Sequence, residues 1–273
     1  MGTERKRIDV YLTDAGLFPS RSAARAAVMA GLVTVDGQRV DKPGTAVSVD
    51  AAVDVRELPR YVSRGGLKLE KALRDFQVDV KGRVVMDVGA STGGFTDCLL
   101  QHGAAKVYSV DVGYGQLDWK LRQDSRVVSM ERTNIRKLQP QDLPEAPDFA
   151  SVDVSFISLT LVLPVLKNLG IREIVTLVKP QFEVGKGRVG KKGVVRDAKD
   201  HQEVLEKVAQ AAEQLGYAVL NAAWSPIRGP EGNIEYLLHL HCQGAGKEID
   251  FASLVAQAQQ SFTEKGDAAG ADE

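Results

Sequence analysis

Four ionisable side chains recur at the same kind of place in this chain of 273 residues, at the end of a run of β-branched and apolar residues. Asp87 ends VVMD, Asp111 follows KVYSV, Asp153 follows DFASV and Lys179 follows EIVTLV. Core strands need no acids or lysines, so polar groups converging on one rim point to a site. Behind Asp87 come Gly89, Ala90, Ser91, Thr92, Gly93 and Gly94, and then a helical pattern with Phe95, Leu99 and Leu100 on one face. Strand, glycine loop and helix together offer an anion close backbone approach, unpaired N–H groups and a partial positive charge. The spacing Gly89-x-x-x-Gly93-Gly94 is neither G-x-G-x-x-G nor the Gly-Lys-Ser/Thr ending of a P-loop, so pyrophosphate is not the expected guest. The other guest of such a loop is S-adenosylmethionine. Its carboxylate would sit on the loop amides, Asp87 would face its amino end, and Asp111, about twenty residues on, would accept from ribose hydroxyls. The competing reading of Asp111 is a cap for a helix starting near Gln116, and the two are compatible.

The elements that must hold these groups alternate. Strands are expected at 127–130, 148–155, 173–180, 218–224 and 235–242, with helices at 159–169 and 199–215 between them. Alternation of this kind makes a mostly parallel, doubly wound sheet with helices on both faces and ligands beyond the C-terminal strand ends. The fold class is therefore α/β. A smaller α+β unit precedes it over residues 5–55: a helix around Ile8, Tyr11 and Leu12, and a second through Ser22, Ala26 and Met29 that Gly31 ends. Short strands follow, with Asp36-Gly37 as a hairpin turn. Arg21 and Arg25, at i and i+4, share one face of the second helix. The connector over 56–82 is basic, with Arg60, Arg64, Lys68, Lys71 and Arg74, and Gly65-Gly66 precedes its helical run LKLEKALRDF. Lys68 lies at that helix's start, where the dipole disfavours a cation. The loop 179–199 carries seven Lys/Arg against two acids, among them Lys186, Arg188, Lys191 and Lys192. A flap contacting phosphate backbone is the functional reading, and a solvated surface loop is the bland one.

With 44% hydrophobic and 26% charged residues, the composition is that of a soluble globular protein, and the length suits one large core plus a small accessory domain. The net charge of -1 announces no global nucleic-acid binder, so a basic surface must come from local clusters. Cys98 and Cys242 form no C-x-x-C, which suggests neither disulfides nor a zinc site and fits a reducing cytoplasm. MGTERKRIDVYL lacks an apolar signal region, and no run of eighteen apolar residues is present.

Two resemblances add to this. RIDVYL, SRSAARAAVMAGLVTVDGQRV and KPGTAV resemble the S4 RNA-binding domain, which implies an RNA surface around Arg21 and Arg25. Together with DVGASTGGFTDCLL, DVGYGQL, ERTN, DVSFISL, LVKPQFEVGKG and GNIEYLL, over about residues 5–250, the chain resembles the TlyA family. That family comprises S-adenosylmethionine-dependent methyltransferases acting on the cytidine 2′-hydroxyl of ribosomal RNA, in the large subunit and in some members the small. They influence sensitivity to capreomycin-type antibiotics. Their catalytic domain is similar to the FtsJ/RrmJ type with its Lys-Asp-Lys-Glu tetrad, which implies Lys68, Asp153, Lys179 and Glu235 as catalytic residues. The cofactor set implied is Asp87, Gly89 to Phe95, Asp111 and Asn134 of ERTN.

The resulting expectation is a Rossmann-like methyltransferase domain over 67–250, behind an S4-like domain over 1–58 and a linker over 59–66. A C-terminal helix and a disordered acidic tail would fill 251–273. Arg60, Arg64 and the flap cations would join Arg21 and Arg25 on RNA, and a cytoplasmic monomer would act on ribosomal RNA or ribosomal subunits. The family's older label, hemolysin, keeps a membrane-active protein as an alternative, and an RNA-binding protein without catalysis is another. The base-amine and cytosine-carbon classes are disfavoured. Asp153-Val-Ser-Phe156 is not the Pro-Pro-aromatic motif of the former, and no cysteine lies at a strand tip for the latter.

Overall fold

A computed structural model of the chain describes residues 4–56, 59–185, 187–190 and 193–269, the side chains of 265–269 excepted. It divides into two units, Met1–Arg60 and Tyr61–Glu273.

The first unit contains β1 (Arg5–Arg7), α1 (Ile8–Asp14), α2 (Arg21–Met29), β2 (Val33–Val35), β3 (Gln38–Val40), β4 (Ala46–Ser48) and β5 (Val53–Val55). Strands β3, β2 and β5 form an antiparallel sheet, and β1 pairs antiparallel with β4. Ser20 caps α2 by accepting from the Ala23 N–H at 3.3 Å. The helix then presents Ala24, Ala27 and Val28, at helical spacing, to Ile8, Leu12, Val33 and Val47. Asp36 and Gly37 both have positive φ (51° and 77°), as the tight β2–β3 hairpin requires.

The second unit runs α3 (Gly65–Asp75), β6 (Val84–Val88), α4 (Gly94–Gln101), β7 (Lys106–Val110), α5 (Trp119–Gln123), β8 (Val127–Met130), β9 (Phe149–Val152) and α6 (Leu159–Asn168). There follow β10 (Glu173–Val178), α7 (Pro180–Glu183), α8 (Ala198–Gln214), β11 (Ala218–Trp224), β12 (Tyr236–His241) and α9 (Phe251–Ala269). Its sheet has the order β11-β12-β10-β9-β6-β7-β8, with β12 antiparallel to both neighbours and the other pairings parallel. From β6 the chain moves outward through β7 to β8, then returns to the other side of β6 as β9 and continues to β10. That reversal opens a crevice at the C-terminal ends of β6 and β9, the place where such sheets bind ligands. Buried side chains cover both faces, Met86, Val88, Ala150 and Val152 on one and Val85, Val107, Phe149 and Val175 on the other.

The doubly wound architecture is the expected one, with three local differences. Helix α3 takes in Gly65 and Gly66 and starts two residues early, and Gly66 packs on Tyr61 where a Cβ would come 2.3 Å from the ring. The helix expected near Gln116 begins at Trp119, capped by Asp118. The 251–273 segment, expected to end in a disordered tail, is helical as far as Ala269, with Gln260 donating to Glu264 at 2.9 Å and Thr263 to the Gln259 carbonyl at 3.0 Å. Residues 270–273 lie outside the described residues. Among those described, no helix is long and apolar enough to cross a membrane.

Candidate active site

The loop between β6 and α4 is shaped by glycine where the backbone demands it. Gly89 has φ +88°, and a Cβ on it would lie 2.4 Å from the Asp153 carbonyl, so this loop lies against the end of β9 only as glycine. Gly93, at φ +97°, is the N-cap of α4. The loop lines a cavity of about 820 Å³ with Gly89, Ala90, Ser91, Thr92, Gly94 and Phe95. Lys68, Asp153, Lys179 and Glu235 line the same cavity, brought there by α3 and by the ends of β9, β10 and β12.

Those four form two ion pairs. Lys68 Nζ meets Glu235 Oε2 at 2.5 Å, with side-chain exposures of 9% and 1%. Lys179 Nζ meets Asp153 Oδ1 at 2.5 Å and donates to Ser155 Oγ at 2.9 Å. The unfavourable placing of Lys68 near a helix start thus has its reason in Glu235, far along the chain. Glu235 is reached because Gly229 leaves room: a Cβ there would stand 2.6 Å from Oε1.

Of the two acids expected to contact cofactor, Asp87 lies behind the loop and Asp111 is bonded to the loop backbone. Asp87 does not line the cavity. Its carboxyl is fully buried behind the loop, accepting from Thr96 Oγ1 at 2.7 Å and Ser151 Oγ at 3.3 Å. Burial pushes its pKa up to about 7, and the negative charge of Asp153 adds to the rise. Asp111 accepts from the backbone N–H groups of Ser91 at 2.8 Å and Gly113 at 2.7 Å, which ties the loop to the end of β7. A carboxylate has further lone pairs, so this does not preclude a ribose contact. Asp111 does not cap a helix here. Asn134 is exposed and is not among the residues that line the cavity, and its side chain accepts from the Arg136 N–H at 3.0 Å to cap a short turn.

With this geometry in view, comparison with known proteins decides the family. The model described as FtsJ-like methyltransferase matches residues 61–242, and that of the S4 domain matches 6–53. The chain is 49% identical to the Mycobacterium tuberculosis protein named 16S/23S rRNA (cytidine-2′-O)-methyltransferase TlyA, over 88% of this chain and 91% of that protein. It is 50% identical to YqxC of Bacillus subtilis over 97% and 98%. A solved structure from Streptococcus thermophilus that carries the name hemolysin superposes with a TM-score of 0.75 at 46% identity, covering 97% of this chain and all of that one. The chain belongs to the TlyA family of FtsJ-like methyltransferases.

Around the methyltransferase cavity the structure adds residues that sequence reading missed. Ser155 bonds Lys179. Phe156 stands 90% exposed at φ +64°, its ring 4.9 Å from that of Phe182. Gln181, Arg228, Glu231 and Asn233 also line the cavity. The available signal was an aromatic residue three places after Asp153, just past the strand expected at 148–155.

The expected RNA contacts divide. Arg64 lines the cavity just before α3. Arg21 and Arg25 are exposed on α2 and line a surface hollow with Ser22, Ala26 and Met29. Arg21 also donates to Asp9 at 3.1 Å, and Arg7 does so at 3.0 Å, which together hold the buried Asp9 carboxyl down at about 2. Arg60 is the last residue of the first unit. Arg188 is not a free flap cation: it pairs with Asp200 at 2.7 Å and Glu203 at 2.5 Å, fastening its loop to α8. Lys186, Lys191 and Lys192 lie outside the described residues.

Proposed function

We propose that this methyltransferase transfers the methyl group of S-adenosylmethionine to the 2′-hydroxyl of cytidine in ribosomal RNA of the large subunit, with the small subunit as a second target. The observation that carries the reading is the shared cavity, a glycine loop on one side and two lysine–carboxylate pairs on the other. The residues fit the cofactor: the loop meets the cavity with nothing bulkier than Thr92 before Phe95, as a ligand held by backbone amides requires. Gly89 to Phe95 would hold it, with Asp111 fixing the loop. When bound, it supplies a sulfonium methyl group open to an oxygen nucleophile.

The chain's own work is on the proton. A ribose hydroxyl is a poor nucleophile, so a base must take its proton as the oxygen–carbon bond forms and the carbon–sulfur bond breaks. Lys179 is the candidate base. Asp153 and Ser155 orient its side-chain nitrogen, which must enter the step as the neutral amine, and the Lys68–Glu235 pair holds a fixed dipole on the same cavity wall. The proton ends on Lys179 and leaves to water before the next turnover. Phe156 offers an exposed ring on which a nucleotide base can stack. The first unit supplies salt-sensitive RNA affinity through α2. This work belongs in the cytoplasm, by a monomer acting on ribosomal RNA or subunits, with a consequence for capreomycin-type sensitivity.

The test is purified chain, labelled S-adenosylmethionine and ribosomal subunits lacking the modification. Methyl groups mapped to cytidine 2′-oxygens are expected. Label on bases, or none, would overturn the reading.

A further inference from the structure

Glu183 ends α7, the single turn that follows Lys179, and its residue exposure is only 4%. Its Oε2 accepts from the Ser158 hydroxyl at 2.6 Å, and its Oε1 accepts from the Leu159 backbone N–H at 2.6 Å. Lys207 of α8 lies 3.4 Å from Oε2 and donates to the Glu183 carbonyl at 2.9 Å. A buried carboxylate is costly unless its oxygens are satisfied, and here both are bonded at the N-terminus of α6, where the helix favours negative charge.

The position of that carboxylate matters more than its satisfaction. Asp153 follows β9 in the segment that ends at Ser158, and Lys179 follows β10 in the segment that ends at Glu183. Each segment carries one member of the Lys179–Asp153 ion pair. The 153–158 segment also carries Ser155 and Phe156, whose positive φ is a conformation a bulky side chain adopts only when its surroundings hold it. The two segments meet at the ion pair and again at Glu183, so the carboxylate closes a small ring of contacts around the reactive groups.

We propose that Glu183 is a positioning residue for methyl transfer, its buried carboxylate clamping the Asp153 segment to the Lys179 segment. This rests on the function proposed above. Glu183 touches neither cofactor nor RNA; it acts through the spacing of Lys179 and Asp153.

The test uses the full chain as wild type, Glu183→Ala, Glu183→Gln and Ser158→Ala, each assayed for kcat and KM on ribosomal subunits, S-adenosylmethionine affinity by calorimetry, and thermal melting. Glu183→Ala is expected to lower kcat about 10- to 100-fold, the scale of a misplaced reactive group. KM and cofactor affinity should stay within about twofold, since binding surfaces are untouched. Glu183→Gln should recover most of the rate: its amide oxygen accepts from Leu159, and its amide group can donate to Ser158. A Glu183→Ala protein with wild-type kcat, one whose loss falls on KM or cofactor affinity, or a Gln variant no better than Ala would overturn the clamp. If Glu183→Ala does not fold, Ser158→Ala decides, because it deletes one bond of the clamp; reduced kcat at unchanged KM supports it and wild-type kcat overturns it. A wild-type chain that transfers no methyl group overturns the proposed function and the clamp together. An active wild type beside a fully active Glu183→Ala overturns the clamp alone.

Discussion

The two lysine–carboxylate pairs of the cavity share a distance and nearly equal lysine exposure, 9% for Lys68 and 11% for Lys179, and differ at their carboxylates. Glu235 is 1% exposed and Asp153 20%. Glu235 fits because Gly229 beside it carries no side chain, whereas Lys179 has Ser155 as a second partner and the Phe182 ring 5.9 Å away. The first pair is sealed, a fixed arrangement of charge in which neither member is easily spared. The second is open at its carboxylate, and under the proposed function its lysine exchanges partners with an incoming hydroxyl. One pair is therefore suited to holding and the other to reacting, although residue types alone make them look interchangeable.

The sharpest way to break this contrast is Lys179→Arg. Arginine keeps the charge but cannot give up its proton, so cofactor and RNA binding should persist while single-turnover methyl transfer falls by about 10²- to 10⁴-fold. If Lys179 only held a phosphate, arginine would serve tolerably. A near-wild-type rate would show that the open pair does not supply the base.

The next test exchanges rate for stability. Lys68→Met leaves a carboxylate buried without its counter-charge, which costs about 3–5 kcal/mol. Lys179→Met leaves Asp153 partly in water, and its cost should be smaller. Urea melts of the two variants without cofactor give the order directly. If Lys179→Met were the more destabilised, the sealed and open labels would have to be exchanged.

How far the sequence carried this contrast depends on the residue. Asp153 and Lys179 announced themselves, since strand ends are visible as the end of an apolar run. Lys68 announced itself as an anomaly, a cation where the helix dipole opposes it, but its partner lies across the fold and nothing local in GNIEYLL points to it. Glu235 therefore came only from family resemblance. Asp87 misled for the opposite reason: a strand-end acid looks the same whether its oxygens face a cavity or, as here, Thr96 and Ser151. Arg188 looked like a free cation because its acids lie on the next helix, and nothing in the loop's sequence singled out Glu183. Sequence shows residue type and the nearest turn, while burial and long-range partners decide what a charge does.

A smaller perturbation sharpens the sealed side. In Gly229→Ala the new methyl group would sit 2.6 Å from Glu235 Oε1, so the carboxylate or the loop must yield. Overpacking of this kind costs about 1–3 kcal/mol. Cofactor affinity should be unchanged and kcat reduced, with Gly229→Ala in a Glu235→Gln background showing less than the sum of the two effects. Full additivity would mean that Gly229 does not act through Glu235.

The smallest effect is expected behind the open pair. Asp87 lies close enough to Asp153 to feel its charge, and burial raises its folded-state pKa to about 7, above the ordinary carboxylate value of 3.8. The folded protein therefore holds this proton more tightly than the unfolded chain does. The associated stability is complete below the unfolded value, declines as pH rises from there through about 7, and is lost above it. Asp87→Asn keeps the shape without the titration, and the Thr96 and Ser151 hydroxyls can turn to suit an amide. Its melting temperature should match wild type near pH 4 and exceed it by a few degrees at pH 8, at about 2–4 °C per kcal/mol for a unit of this size. Parallel melting curves for the two proteins across that range would mean that Asp87 keeps its charge when buried. The open pair would then carry a second negative charge at neutral pH, and the division between a holding pair and a reacting pair would have to include it.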